Sequence, residues 1–473
     1  MGIYRQLEQD FDAHVRRVQG YIRQPSVSAD GNGIREMATM LRDDIRSLGA
    51  SCELVETGGN PVVYGYLDAG APKTILFYLL YDTQPVGEPG WIVDAFSAEI
   101  VDLPGFGPSI VGRGASNSKG PLIGFINVLH SIKDAGLPFP VNVRFMIEGE
   151  EEIGSRNLPR FIEEHKAELK QADCLFQPYF GQTLDGQPIV YCGFKGLLYF
   201  ELHCRGGEWG GPVKQDIHAM HNAWIANPAM RLVQAVASMK GLNERTVMEG
   251  IHHNALPPTP AEERMLEALC ADMDPTFPLR QEGALQYREP DLPILEQVKL
   301  YLYETTLNLD GIWGGFSGDG TKTVVPYEAG CKLDIRPVPD QDPKDLIAAV
   351  RRHLDNHGFA DIEIKVLNSY PASQNDVEAP CIKSLLLACE TVAKRKVEVW
   401  PRSAGAAPHY LFTKGLGLPV AFGGLGRSGR SHTANEFITV EGLELHQKGI
   451  AAFLFHYGTG QLPEETSGNM SSL

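Results

Sequence analysis

The chain has 473 residues, 43% of them hydrophobic and 21% charged, and a formal net charge of −17. That is ordinary globular composition, and an acidic chain lacks the basic face that nucleic acid requires. The eight scattered cysteines contain no C-x-x-C pair, the N-terminal residues lack a signal-peptide core, and no apolar run of about 18 residues could cross a bilayer. A cytoplasmic protein of two or three domains, with no membrane or nucleic-acid partner, is expected.

Periodicity predicts helices over 5–24 and 34–48. In the second, Met37, Met40, Leu41, Ile45 and Leu48 share one stripe and Gly49 supplies the stop. Short strands are expected at 52–55 and 62–66. The run from Thr74 to Tyr81 is apolar almost throughout, as in a strand buried on both faces, and it ends in Asp82. Gly112-Arg113-Gly114-Ala115 leads through Asn117, Ser118 and Lys119 into a helix over 120–135. A strand over 141–147 then runs into Glu148, Glu150, Glu151 and Glu152. Like charges this dense repel and usually face water. This run, however, lies at the end of a core strand between glycines, the rim where open α/β sheets bind ligands. A helix over 157–168 and a strand over 173–176 complete a β/α alternation, the mark of a layered α/β domain.

The pattern changes near residue 190. A strand over 197–204 is followed by a helix opened by Asn227-Pro228 and another opened by the capping box Thr259-Pro260-Ala261-Glu262. A strand over 329–336 and a helix over 343–355 follow. Residues 193–375 are therefore expected to form an inserted, smaller α+β domain, with 1–192 and 376–473 forming a discontinuous catalytic α/β domain. The latter resumes with a helix from about 379, a strand over 419–422, a glycine-rich loop and a last helix over 440–456. The tail after Gly458 is polar and expected to fray.

Four segments occur in the order found in the M20 metallopeptidase family: Leu79 to Pro85, Gly112 to Gly120, Glu148 to Ser155 and Ser431 to Glu436. In the inserted region the match continues through Asp216-Ile217-His218, Asn308, Lys322 to Pro326 and Asp334 to Pro339. The chain therefore resembles that family, which includes dipeptidases, aminoacylases and glutamate carboxypeptidases, over nearly its whole length. The resemblance implies a catalytic domain with two zinc ions, a lid domain that mediates dimerisation, and hydrolysis of an amide bond in a small substrate bearing a free carboxylate. It implies that Glu151 is the general base, that Glu152 and His432 are metal ligands, and that His218 stabilises the oxyanion, in cis or across a homodimer. Asn308 and Arg336 would hold the substrate; a guanidinium binds a carboxylate bidentately.

Three metal positions depart from the family pattern: Leu80 replaces a histidine, and Asn117 and Gln177 replace aspartates. Asp82, which orients the lost histidine in the family, is expected to have another contact. Two remaining ligands are fewer than the three that even a single catalytic zinc normally has. No cofactor is therefore expected, or at most one weakly held divalent zinc. Glu152 is expected to pair with His432, with Asn117, Gln177 and Asp82 lining a polar substrate pocket. Three classes stay open: hydrolysis with little or no metal, metal-independent proton transfer next to a carboxylate, and a catalytically dead binding protein. Ser116-Asn117-Ser118-Lys119 fits S-x-x-K and Gly424 to Gly429 fits G-x-G-x-x-G. The first is short and common by chance, and the second lacks the strand–helix context of a dinucleotide site.

Overall fold

The computed structural model describes residues 2–183, 185–271 and 273–463. The end of the polar tail, 464–473, lies outside them. The chain divides into two compact units: Met1–Cys192 with Asn375–Trp400 and Leu411–Leu473, and Gly193–Gln374 with Pro401–Tyr410. Pro401–Tyr410 joins the second unit because Ser403–Ala406 pairs in parallel with Gly193–Lys195, a long-range pairing with no local signal.

The first unit is built on an eight-stranded sheet in the order Ser51–Val55, Val62–Leu67, Asn142–Glu148, Thr74–Leu80, Cys174–Pro178, Val420–Gly423, Ile189–Tyr191 and Glu398–Trp400. The four strands from Asn142–Glu148 to Val420–Gly423 are mutually parallel, so Glu148, Leu80, Pro178 and Gly423 end along one rim. Ile75 to Leu80 are all buried, as the unbroken apolar run requires. Phe77 stacks on Phe125 with centroids 3.9 Å apart, tying the sheet to the helix Lys119–Asp134. That helix packs with Ile3–Arg23 and Val440–Thr459. No described helix is long and apolar enough to cross a membrane. All eight cysteines are buried, and none is in a disulfide among the described residues.

A second sheet in this unit, ordered Ser428–Gly429, Phe437–Thr439, Gly107–Val111 and Glu99–Leu103, gave no clear sequence signal. Its strands are short and interrupted by proline and glycine. It positions the site, because Phe437 pairs with Val111 and brings the 112–117 and 430–436 loops side by side. The expected 157–168 helix is two, Leu158–Glu164 and Lys166–Leu169, meeting at His165.

The second unit has a four-stranded antiparallel sheet in the order Thr306–Gly314, Glu328–Arg336, Leu197–Arg205 and Glu363–Tyr370. Leu198, Phe200, Leu202 and Cys204 alternate onto one face and pack in a core with Leu232 and Ala235 of the helix Pro228–Ser238 and Leu346, Val350 and Leu354 of Pro343–Asn356. Asn227 and Thr259 cap their helices as their sequence positions predict, the latter through a full capping box.

Candidate active site

At the rim, the acidic run does not behave as a solvated loop. Glu148 and Glu150 are buried and serve the scaffold. Glu148 accepts hydrogen bonds from Tyr78 at 2.5 Å and Ser155 at 3.0 Å, and burial holds its carboxyl well above the usual range. Glu150 accepts from Asn60 N and from Asn157. The two glutamates between these anchors and the helix that follows, Glu151 and Glu152, form a short 3-10 turn ended by Gly154 at φ 91°.

Asp82 sets that turn. Its carboxylate is fully buried and accepts the backbone N–H groups of Glu152 at 3.0 Å and Glu151 at 3.3 Å, the contact that replaces a histidine partner. Burial pushes its pKa up to about 7 against the hydrogen bonds that favour the charge. Glu151 is partly buried, and no described group donates a hydrogen bond to its carboxylate. Burial, then the Glu152 and Asp82 charges, push it up to about 8. A carboxyl with a pKa near neutrality and no fixed partner is suited to proton transfer.

Asn117 Nδ2 lies 2.8 Å from Glu152 Oε1 and 2.8 Å from His432 Nε2. His432 Nε2 is 3.1 Å from Glu152 Oε2, and the Glu152 hydrogen bond is the main cause raising the imidazole pKa. Gln84 Nε2 donates to Glu152 Oε2 at 2.8 Å. Tyr179, on the segment just after the Cys174–Pro178 strand, donates its hydroxyl to Asn117 Oδ1. Gln177 is buried at the end of that strand, paired in register with Phe422. Leu80 is buried and presents only its carbonyl, to Ser118 Oγ at 3.0 Å.

The loop carrying Asn117 is held by a buried ion pair. Glu436 Oε1 accepts the N–H groups of Ser116 at 2.9 Å and Asn117 at 2.8 Å, while Oε2 takes Arg113 Nη1 at 2.9 Å. Arg113 also pairs with Glu88. His432, at φ 62°, is one of three residues of its loop in the left-handed region, with Arg430 and Asn435, a backbone cost tolerated at functional sites. Ser116 Oγ bonds to Ser428 and Ser431, whereas Lys119 Nζ donates to the Gln24 carbonyl. The S-x-x-K pair thus has separate partners. Gly424 to Gly429 form a turn into the short Ser428–Gly429 strand and open no helix.

The other expected residues are in the second unit. Asn308 and Asp334 are cross-strand partners, as are Thr306 and Arg336. Arg336 Nε donates to Asp334 at 2.6 Å and Asn308 Nδ2 to Asp310 at 2.7 Å. The Arg336 side chain is 36% exposed, so part of its fork faces outward. His218 lies on a separate two-stranded sheet, exposed, its Nδ1 accepting Met220 N at 3.1 Å.

Three of the positions expected to hold zinc carry other groups. Leu80 cannot ligate, Asn117 turns its NH2 toward Glu152, and Gln177 offers an amide. Among the described residues no three His, Cys, Asp or Glu side chains gather as a metal requires. Motif reading assigned no role to Tyr179, Gln84, Arg113 or Glu436. The last three stand inside the quoted motifs; Tyr179, two residues beyond Gln177, had no signal.

A family model described as Peptidase family M20/M25/M40 matches residues 76–456. A Cys-Gly metallodipeptidase of Schizosaccharomyces pombe is 29% identical over 371 residues, 74% of this chain and 75% of that one. The Beta-Ala-His dipeptidase of Rattus norvegicus is 28% identical over 337 residues, 67% and 65% of the two chains. Among solved structures, the M20 family metallo-carboxypeptidase Sso-CP2 of Sulfolobus solfataricus superposes with a TM-score of 0.84 at 31% identity, covering 94% of this chain and 99% of that one.

Proposed function

Since the chain belongs to peptidase family M20/M25/M40, and its relatives there include dipeptidases, we propose that it is a peptidase-type hydrolase that cleaves the amide bond of a small peptide-like or N-acyl amino acid substrate with a free carboxylate. The observation that carries the reading is Glu151: a carboxyl raised to about 8, at the rim of the parallel sheet, with no described hydrogen-bond donor. Its carboxylate takes the proton of the attacking water and returns it to the leaving amine. Within the second unit, Arg336 and Asn308 are the groups suited to a substrate carboxylate and His218 the one suited to an oxyanion. Asn117 and Gln177 line the pocket, which works with little or no metal; Asp82, expected beside them, is fully buried and instead fixes the Glu151–Glu152 turn.

The exposed apolar side chains of the second unit's edge strand, Leu309, Ile312 and Trp313, support a homodimer through this domain, measurable by light scattering. Turnover of a dipeptide panel that begins with Cys-Gly and β-Ala-His, read for wild type and Glu151→Gln, tests the reaction. No cleavage across the panel by wild type, or full cleavage by the variant, refutes it.

A further inference from the structure

We infer that Asn117, backed by Tyr179, does the work of a cation between Glu152 and His432, its NH2 donating to Glu152 Oε1 and to the unprotonated Nε2 of a neutral His432, so that the pocket is a hydrogen-bonded site that excludes metal. The inference rests on the hydrolase reading only for what the pocket is used for. The exclusion itself follows from donors and acceptors. An ionised carboxylate only accepts hydrogen bonds, so the 2.8 Å contact to Glu152 Oε1 must come from the amide NH2 of Asn117. That leaves Oδ1 on the other side, where it receives the Tyr179 hydroxyl. Glu152 therefore specifies the orientation of the amide, and the Tyr179 hydroxyl, which can donate or accept, is matched by the oxygen left on the far side. The second oxygen of Glu152 takes the Gln84 amide at 2.8 Å. Both oxygens are thus occupied by N–H donors, and the Glu152 side chain is 3% exposed.

A metal ion between Glu152 and His432 would have to face this NH2 group, which has no lone pair to offer. An aspartate in place of Asn117 would instead set carboxylate oxygen against carboxylate oxygen, an arrangement that a cation relieves. Leucine at position 80 removes the imidazole that could otherwise contribute, and its buried side chain packs in the core. Asn117 and Tyr179 are positioning residues: they hold Glu152 and His432 in place, and through Glu152 the turn that presents Glu151.

The discriminating variant is Asn117→Asp in the full-length protein. It would add a second carboxylate beside Glu152 and His432, which completes the three protein ligands of a single-metal catalytic site. Cobalt(II) titration without substrate, followed by visible absorption, and zinc content after dialysis read the outcome. Wild type is expected to take up close to no metal and the variant about one equivalent per chain. Wild type that binds one or more equivalents overturns the inference. So does a variant that keeps the wild-type circular dichroism spectrum yet binds none, because Asn117 would then not be what keeps metal out. If the variant fails to fold, the wild-type titration still decides. Tyr179→Phe removes the donor to Oδ1; it is expected to lower kcat roughly three- to tenfold at steady KM, the worth of one hydrogen bond, and unchanged kcat overturns the part assigned to Tyr179. Metal uptake is read without turnover, so failure of the hydrolase reading would leave this result standing.

Discussion

Glu436→Ala should be the most damaging single change outside the substrate-contacting groups. The carboxylate is fully buried and satisfies three donors, the backbone N–H groups of Ser116 and Asn117 and Arg113 Nη1. Its removal leaves the Arg113 guanidinium, itself 1% exposed, with Glu88 as its remaining acidic partner. Breaking a buried ion pair from one side costs about 3–5 kcal/mol, and each orphaned buried N–H about 1–3 kcal/mol. These costs share one loop and do not add fully, so a loss of roughly 4–6 kcal/mol is expected, a large share of the about 5–15 kcal/mol that holds a domain. Glu436→Gln keeps an oxygen for the two N–H groups but turns its NH2 toward Arg113, and about half that loss is expected. Urea unfolding followed by circular dichroism measures both. A fall below about 1 kcal/mol for the alanine variant would show that the ion pair does not hold the Asn117 loop.

Glu151→Gln should abolish turnover without lowering the thermal midpoint, because it removes a partly buried carboxyl that resists ionisation; retained turnover removes Glu151 from the base role. With the base raised to about 8, kcat/KM should climb as pH rises from 6 and level off above about 8, whereas a flat profile would assign the proton transfer elsewhere. The sign for stability is opposite. The folded state keeps the Glu151 proton while the unfolded state releases it near 4.5, so this group lowers stability as pH rises from about 4.5 to about 8, and Glu151→Gln should flatten that part of a pH–melting curve. Arg336→Ala should raise KM about 10- to 100-fold with kcat nearly kept, the loss of a charge-assisted contact to a carboxylate; unchanged KM refutes the anchor. Dialysis against a chelator should leave both activity and melting temperature unchanged.

Most of the first unit was legible because its core strands announce themselves. The run Thr74–Leu80 is apolar without interruption, and Asn142–Glu148 ends in a carboxylate cluster between glycines, so the parallel sheet and its rim could be placed from local pattern. The substitutions at Leu80, Asn117 and Gln177 were equally visible, since ligand chemistry is a property of residue type. Local pattern could not show how the acidic run divides. Glu148 and Glu150 became buried acceptors, and Glu151 the one with no donor among the described residues, through contacts with Tyr78, Asn60, Asn157 and Asp82, all supplied by other segments. The same holds for Pro401–Tyr410, drawn to the second unit by one parallel pairing, and for the sheet that joins the 112–117 and 430–436 loops. Residue type and periodicity determined the elements and the available chemistry of this protein. Which carboxylates are paired, which amide faces which oxygen, and the role of Tyr179 were decided by long-range packing, because hydrogen-bond partners distant in sequence leave no trace in either.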